Sequence, residues 1–366
     1  MIRRGDMSSL SRGAAVRLLR VGVAVALLGL GSCVSMGPNT IPRDRFDYGA
    51  AIARSWKEQL LANLVRMRYV EAPTFVDVSS VINQYILEGE VSLGAGWNTS
   101  FNGDDTLNAG GAGRFSDRPT ITYAPISGRE FSVSLLTPVS PEAIFALVQA
   151  GWPPELIFRL TVRSVNGIDN AVAGPANRRR ADPRFIEFLA AWGRLREARA
   201  LGLRKSTTES GAKILVYRTG AALDAEVQRD LEFVHDTLGL DPDASEFTLS
   251  YGLVPANSAD IAVLTMSMLE LLNEMAWRAE VPPEHVEEGR TGPTYVTQEG
   301  LEPLMLVHYA KERPAESYAA VRNRDYWFYL DDRDVGSKRT FAIMQILFSL
   351  TESGDAARGP VVTIGS

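Results

Sequence analysis

The chain has 366 residues, with 38 Lys and Arg against 44 Asp and Glu and a formal net charge of −6. Apolar residues make up 45% and charged residues 22%, the balance of a folded chain and not of a disordered or collagen-like one. One cysteine excludes a disulfide within the chain, and the acidic balance argues against general nucleic-acid binding.

The first twenty residues carry Arg3, Arg4, Arg12, Arg17 and Arg20 against a single acid, Asp6. Val21 to Leu30 is apolar, and Gly31-Ser32-Cys33 closes the run with small residues. A basic segment, a short apolar segment and a small-residue exit are the three parts of a secretory signal. The apolar run has half of the roughly twenty residues a membrane span requires. Arg3-Arg4 suggests a twin-arginine signal, but Gly5-Asp6-Met7 lacks the apolar residues expected after the pair; Met7 also offers a second start.

Leu30-Gly31-Ser32-Cys33 resembles the lipobox of bacterial lipoproteins. The resemblance implies cleavage before Cys33 and acylation of its sulfur and new amino group. Val34 at the following position implies the outer membrane of a Gram-negative bacterium, with the chain facing the periplasm. Two or more acyl chains anchor stably where one does not. Removing residues 1–32 leaves 33 basic and 43 acidic residues, a net charge of −10. The expected organisation is a signal at 1–32, a lipidated tether at 33–46 with two prolines and no period, and a globular region at 47–366. Two sub-blocks, 47–175 and 181–366, are expected within it.

In chain order, Asp47 opens a helix to about Tyr69, with Ile52, Trp56, Leu60, Leu64 and Met67 on one face. Residues 74–101 alternate and are β-branched, so one long strand is expected, with Val76, Val78, Ile82 and Ile86 sharing a face. The Gly/Asn/Asp-rich residues 102–118 read as a hairpin connection or mobile loop. They lack the Gly-Lys-Ser/Thr of a phosphate loop. Four strand–turn–helix units are then expected. PTITYAPISG (119–128) leads to a helix near Phe131–Leu136, and KILVYRTG (213–220) to one carrying Leu223, Val227, Leu231, Val234 and Leu238. FTLSYGLVPANS (247–258) leads to a helix carrying Ile261, Leu264, Met268, Leu271 and Met275, and YWFYLDDRDVGS (326–337) to a buried helix at 341–350.

Between these units, Ser140-Pro141 and Asp182-Pro183 each pair an N-cap with a proline at the first helical position. Residues 157–165 alternate as a strand ending at the turn Asn166-Gly167. Further strands are expected near 303–309, 317–321 and 360–364. The fold class expected is α+β, with a mainly antiparallel or mixed sheet; a three-layer α/β arrangement is the alternative.

No catalytic constellation stands out. His235, His285 and His308 are isolated, with no metal-ligand spacing. GxSxG is absent, and Ser210-Gly211-Ala212-Lys213 matches SxxK without the KTG that accompanies it in penicillin-binding proteins. Asp331-Asp332-Arg333-Asp334 departs from a calcium loop and reads as a strand end with a helix cap at Asp334 or Ser337. No cofactor or metal is expected. Residues 178–205 hold nine Lys or Arg against three acids, which makes Arg178, Arg179, Arg180 and Arg184 a candidate interaction patch.

The stretches IPRDRFDYGAAIARSWKEQLLANLV (41–65) and DYWFYLDDRDVGSKRTF (325–341) resemble a group of uncharacterised outer-membrane-type lipoproteins. That resemblance implies an address and no activity. Three functions follow as expectations. The first is a non-enzymatic adaptor or scaffold bound to the bilayer through acylated Cys33 and to a protein partner in the envelope. The second is a subunit of a pore or secretion assembly donating a β-hairpin (74–125), reminiscent of lipoprotein pores such as the curli exporter. Against that reading, Asn83-Gln84, Glu88 and Glu90 interrupt a lipid-facing band. The third is a cell-wall or polysaccharide hydrolase with unidentified carboxylates.

Overall fold

The computed structural model describes residues 36–82, 85–96, 106–174, 178–208, 211–218 and 224–352. The chain divides into two compact units, one formed by residues up to Ala53 with Ser80–Thr122 and the other by Arg54–Ser79 with Tyr123 onward. Helices and several small antiparallel or mixed sheets make the fold α+β.

Helix α1 runs from Met36 to Arg68 and contains Pro42. It therefore begins eleven residues before the expected cap at Asp47. Proline lacks one helical donor and crowds the preceding turn, so the aperiodic, proline-bearing sequence reads as coil. The residues from Leu60 to Tyr69 hold the helix in the core, with Leu61, Leu64 and Val65 fully buried. The helix ends in paired bonds from Val70 N–H to the Met67 carbonyl (3.0 Å) and from Glu71 N–H to the Arg66 carbonyl (2.9 Å). This closure requires a left-handed residue, and Val70 fills it at φ 62°.

The expected strand 74–101 is two strands, β1 (Phe75–Ile82) and β2 (Tyr85–Gly96). Phe75, opposite in parity to Val76 and Val78, is the buried anchor of β1. The Gly-rich segment is itself a strand, β3 (Thr106–Asp117), and β4 (Thr120–Ile126) follows. β1 pairs with β4 and β2 with β3, as separate two-stranded sheets.

The second unit holds α2 (Arg129–Leu136), α3 (Pro141–Gln149), α4 (Pro154–Thr161) and the short strands β5 (Val162–Val165), β6 (Ile168–Asp169), β7 (Val172–Ala173) and β8 (Arg178–Arg179). Ser140 caps α3 by accepting from Ala143 N–H at 3.2 Å. Residues 157–161 are helical, not extended: Pro153-Pro154 starts a helix whose Ile157, Phe158 and Leu160 are buried. Asn166 (φ 45°) and Gly167 (φ 78°) then make the expected two-residue turn between β5 and β6. Next come α5 (Pro183–Glu197), β9 (Leu201–Thr208), β10 (Gly211–Arg218) and α6 (Ala225–Leu238). Phe185, Leu189, Trp192 and Leu195 are buried on α5 as their spacing predicts.

β11 (Glu246–Tyr251) and β12 (Asp260–Thr265) complete a six-stranded sheet of order β6-β5-β12-β11-β10-β9. Ile261 and Leu264 are thus in a strand, not in the following helix, α7 (Met268–Ala276). The sheet buries Ile261, Ala262 and Val263 in succession, which erases the alternation that marks a strand. β11 and β12 run parallel across a loop of only eight residues. Asp260 clips that loop, its Oδ2 accepting from Ser250 Oγ and Ala256 N–H at 2.9 Å each. Ser267 caps α7 with a full capping box to Glu270.

The short helix α8 (Pro283–Glu287) precedes a three-stranded sheet of β13 (His308–Ala310), β14 (Ser317–Asn323) and β15 (Tyr326–Asp331), ordered β13-β15-β14. The last helix, α9 (Val335–Glu352), buries Phe341, Ile343, Met344 and Leu347. Asp334 accepts from Ser337 N–H at 2.9 Å at its start, as the strand-end reading of the acidic run predicts. The strand expected at 360–364 lies outside the described residues.

Candidate membrane-insertion hairpin

β2 and β3 form an antiparallel ladder of twelve consecutive pairs, from Tyr85 opposite Asp117 to Gly96 opposite Thr106. The register joins odd-numbered residues to odd and even to even, and strand geometry puts successive residues on opposite faces. One face therefore carries Tyr85, Leu87, Gly89, Val91, Leu93 and Ala95 with Leu107, Ala109, Gly111, Gly113, Phe115 and Asp117. It is apolar or glycine at every position but the last. The other face carries Glu88, Glu90, Ser92, Thr106, Asn108, Arg114 and Ser116, with Ile86, Ala112 and three glycines between them.

Glu88 and Glu90 thus share the polar face and leave the apolar band unbroken. The register sets Glu88 directly opposite Arg114. Asn83 and Gln84 lie outside the described residues and before β2 begins. The sequence carried this signal: within 85–96 the odd positions read Y-L-G-V-L-A and the even positions I-E-E-S-G-G. A parity count starting at Val76 misses it, because β1 and β2 are separate strands.

The start of β1 is held by α1. Asn63 accepts from Thr74 N–H at 2.8 Å and donates to the Thr74 carbonyl at 2.9 Å. One turn earlier, Gln59 does the same for Val76, at 2.8 Å and 3.1 Å. Two side-chain amides therefore stand in for a neighbouring strand along residues 74–76, so that edge is closed to pairing with another chain. β2 and β3 have only each other as strand neighbours among the described residues.

The end of α1 is fixed by Arg68 and Tyr69. Arg68 is fully buried and donates to the carbonyls of Ala279 (3.1 Å) and Gly292 (2.8 Å) and to the hydroxyl of Thr291. Its guanidinium lies 4.6 Å from the Trp277 ring centroid. Burial lowers its pKa to about 10. The Tyr69 hydroxyl meets His285 Nδ1 at 2.6 Å, and burial pushes the Tyr69 pKa up to about 12 while lowering that of His285. Tyr326, in edge contact with His285, donates to Glu284.

Of the positions singled out from sequence, Cys33 and Ser210 lie outside the described residues. Arg178, Arg179 and Arg180 are exposed on and beside β8, and Arg184 is exposed on α5. Arg178 donates to the Pro293 carbonyl at 2.5 Å, Arg179 pairs with Asp169 at 2.8 Å and Arg184 with Asp182 at 2.7 Å. Arg194, in the same basic run, makes two bonds to Asp230 at 2.6 Å and 2.7 Å. Arg179, Arg184 and Arg194 of this basic run are therefore each matched by a carboxylate within the fold. His235 packs edge-on against Phe247, and His308 bonds Glu280 at 3.0 Å, which raises its pKa.

Among the described residues no group of three His, Cys, Asp or Glu is placed to hold a metal, and no helix is long and apolar enough to cross a membrane. The latter says nothing of a β-barrel. Comparison of the chain with protein-family models, curated proteins and solved structures finds no match.

Proposed function

We propose that the protein is a lipid-anchored subunit of an outer-membrane assembly, in which copies of the β2–β3 hairpin join edge to edge as a transmembrane β-barrel. The two-faced register of the hairpin carries this reading. Membrane barrel strands alternate apolar-out and polar-in, and need about 9–11 residues tilted near 45°. From Tyr85 to Ala95 is ten steps, or about 34 Å at ~3.4 Å per step; at 45° this projects to about 24 Å, against an apolar band of ~25 Å. Tyr85 and Phe115 stand at one end of the apolar face, where a barrel carries aromatic residues. The lipobox reading of Cys33 supplies the anchor, and the expected periplasmic side follows from it.

The test is purification of the mature, acylated chain in detergent, followed by mass measurement and ion conductance in planar bilayers. Closed rings that conduct support the reading; a detergent-free monomer of the Cys33→Ser chain with no membrane activity overturns it. The adaptor reading has its own observation, the exposed end of β11 and the loop after it, with Tyr251, Leu253 and Val254 at 54%, 51% and 73% exposure. Crosslinking from that loop to a different envelope protein supports it. A hydrolase reading gains no such observation: neither of the two clefts described has a carboxylate in its wall.

A further inference from the structure

We infer, resting on the barrel reading of the β2–β3 hairpin, that Glu90 with Glu88 and Arg114 forms a charge belt that selects small cations for passage through the pore. In a barrel the polar face of the ladder becomes the wall of the lumen, and residues on that wall tune selectivity.

Residue size is not spread evenly along this face. From Ser92 to Gly96, and back from Thr106 to Gly110, all six positions on it are Ser, Thr, Asn or Gly. The ionisable residues sit together nearer the other end. Arg114 stands across the ladder from Glu88, and Ala112 across from Glu90. Glu88 and Glu90 are two residues apart, about 7 Å along a strand, so the three positions make one belt across the width of each hairpin. The long polar residues of the lumen wall and its charges therefore share a level, which is narrow and charged at once.

Charge accounting fixes the sign. Each copy brings two carboxylates and one guanidinium to the belt, a net −1. The ladder sets a cation opposite Glu88 but a neutral alanine opposite Glu90, so Glu90 is the position that carries the excess. Closed symmetry repeats that excess at one height, once for every copy in the ring. Rings of Asp or Glu favour cations because a wall of one sign concentrates counter-ions and repels co-ions.

The experiment reconstitutes the mature, acylated chain in planar bilayers and reads the K⁺/Cl⁻ permeability ratio from the reversal potential across a KCl gradient. The wild type is expected to favour K⁺ about tenfold. E90Q brings the belt to net zero and the ratio towards one, and E90K brings it to +1 and lowers the ratio further. R114Q takes the belt to −2 and raises the ratio above the wild type. Asp104 and Asp105, between the strands and outside the described residues, are the same in every chain, so they shift the series without changing its order. E90Q is isosteric and decides the matter where E90K fails to assemble. A chain that forms no conducting pore overturns the barrel reading and the belt with it. A pore that conducts but passes Cl⁻ as readily as K⁺, or whose ratio E90Q leaves unchanged, overturns the belt alone.

Discussion

The hairpin reading is tested most sharply by placing one arginine on each side of the same point in the ladder. Val91 and Ser92 are neighbours at mid-strand, on opposite faces, and both face glycine across the ladder, Gly111 and Gly110. V91R and S92R therefore present the same side chain against the same cross-strand partner. At the bilayer midplane a lipid-facing Arg costs about 2–4 kcal/mol, whereas the lumen side tolerates it. Each copy carrying V91R then loses roughly 30- to 900-fold in insertion equilibrium, and a ring compounds the loss. The assay is the amount of detergent-stable oligomer extracted from membranes, with Cys33 kept in both variants so that the proposed anchor is the same in each. On the proposed reading, V91R stays with the membrane fraction but does not assemble, while S92R assembles with altered conductance. Equal behaviour of the two variants refutes the facial assignment.

Other expectations concern the scaffold. Asn63→Ala leaves both backbone groups of Thr74 without their partner at a 1% exposed site, a loss of about 2–4 kcal/mol in urea unfolding. Val70→Gly is expected to stabilise by about 1 kcal/mol, since the exposed valine holds φ 62° in a helix closure suited to glycine, and a raised unfolding midpoint checks it. The two titrating histidines act in opposite directions. The folded-state pKa of His285 lies below the ordinary 6.5, so its contribution is full above that value and is lost as pH falls through the window beneath it. That of His308 lies above 6.5, so its contribution is full below 6.5 and lost as pH rises through the raised value. His285→Gln flattens the acid side of a stability–pH curve and His308→Gln the neutral-to-alkaline side, read from urea midpoints.

The parts of the fold legible in the sequence are those with local chemistry. Ser140-Pro141 and Asp182-Pro183 open helices because a side-chain acceptor and a proline without N–H both suit a first turn. Asn166-Gly167 turns because both residues accept positive φ. What was misread depended on partners distant in sequence. Ile261 and Leu264 lie within two helical turns of the run that starts at Met268, and only the neighbouring strands β11 and β5 make them sheet. The Ser267-x-x-Glu270 capping box marked the true helix start and could have moved that boundary. Gly110, Gly111 and Gly113 suggest a loop by composition, yet β2 supplies the ladder that holds them extended. The amide clamp of Gln59 and Asn63 had no sequence signal, because nothing in a helical period tells where a strand eleven to seventeen residues later will lie.

The composition of the hairpin bears on what must complete it. A lone two-stranded ribbon is marginal in water, and glycine weakens it further by adding backbone entropy without a side chain to pack. This ribbon places glycine at six of its 24 ladder positions and offers a continuous apolar face. Evolution toward a free hairpin in water would be expected to replace such glycines with β-branched residues. In a barrel the balance differs. Every strand gains a second hydrogen-bonded neighbour, lipid covers the apolar face, and glycine lets adjacent strands coil into the curvature that closure requires. Replacing Gly89 and Gly113, which face each other on the apolar side, with valine separates the cases. A ribbon that stays in water gains strand propensity and becomes harder to unfold. A barrel subunit that depends on those glycines for curvature loses closed oligomer while its globular unit keeps its unfolding midpoint.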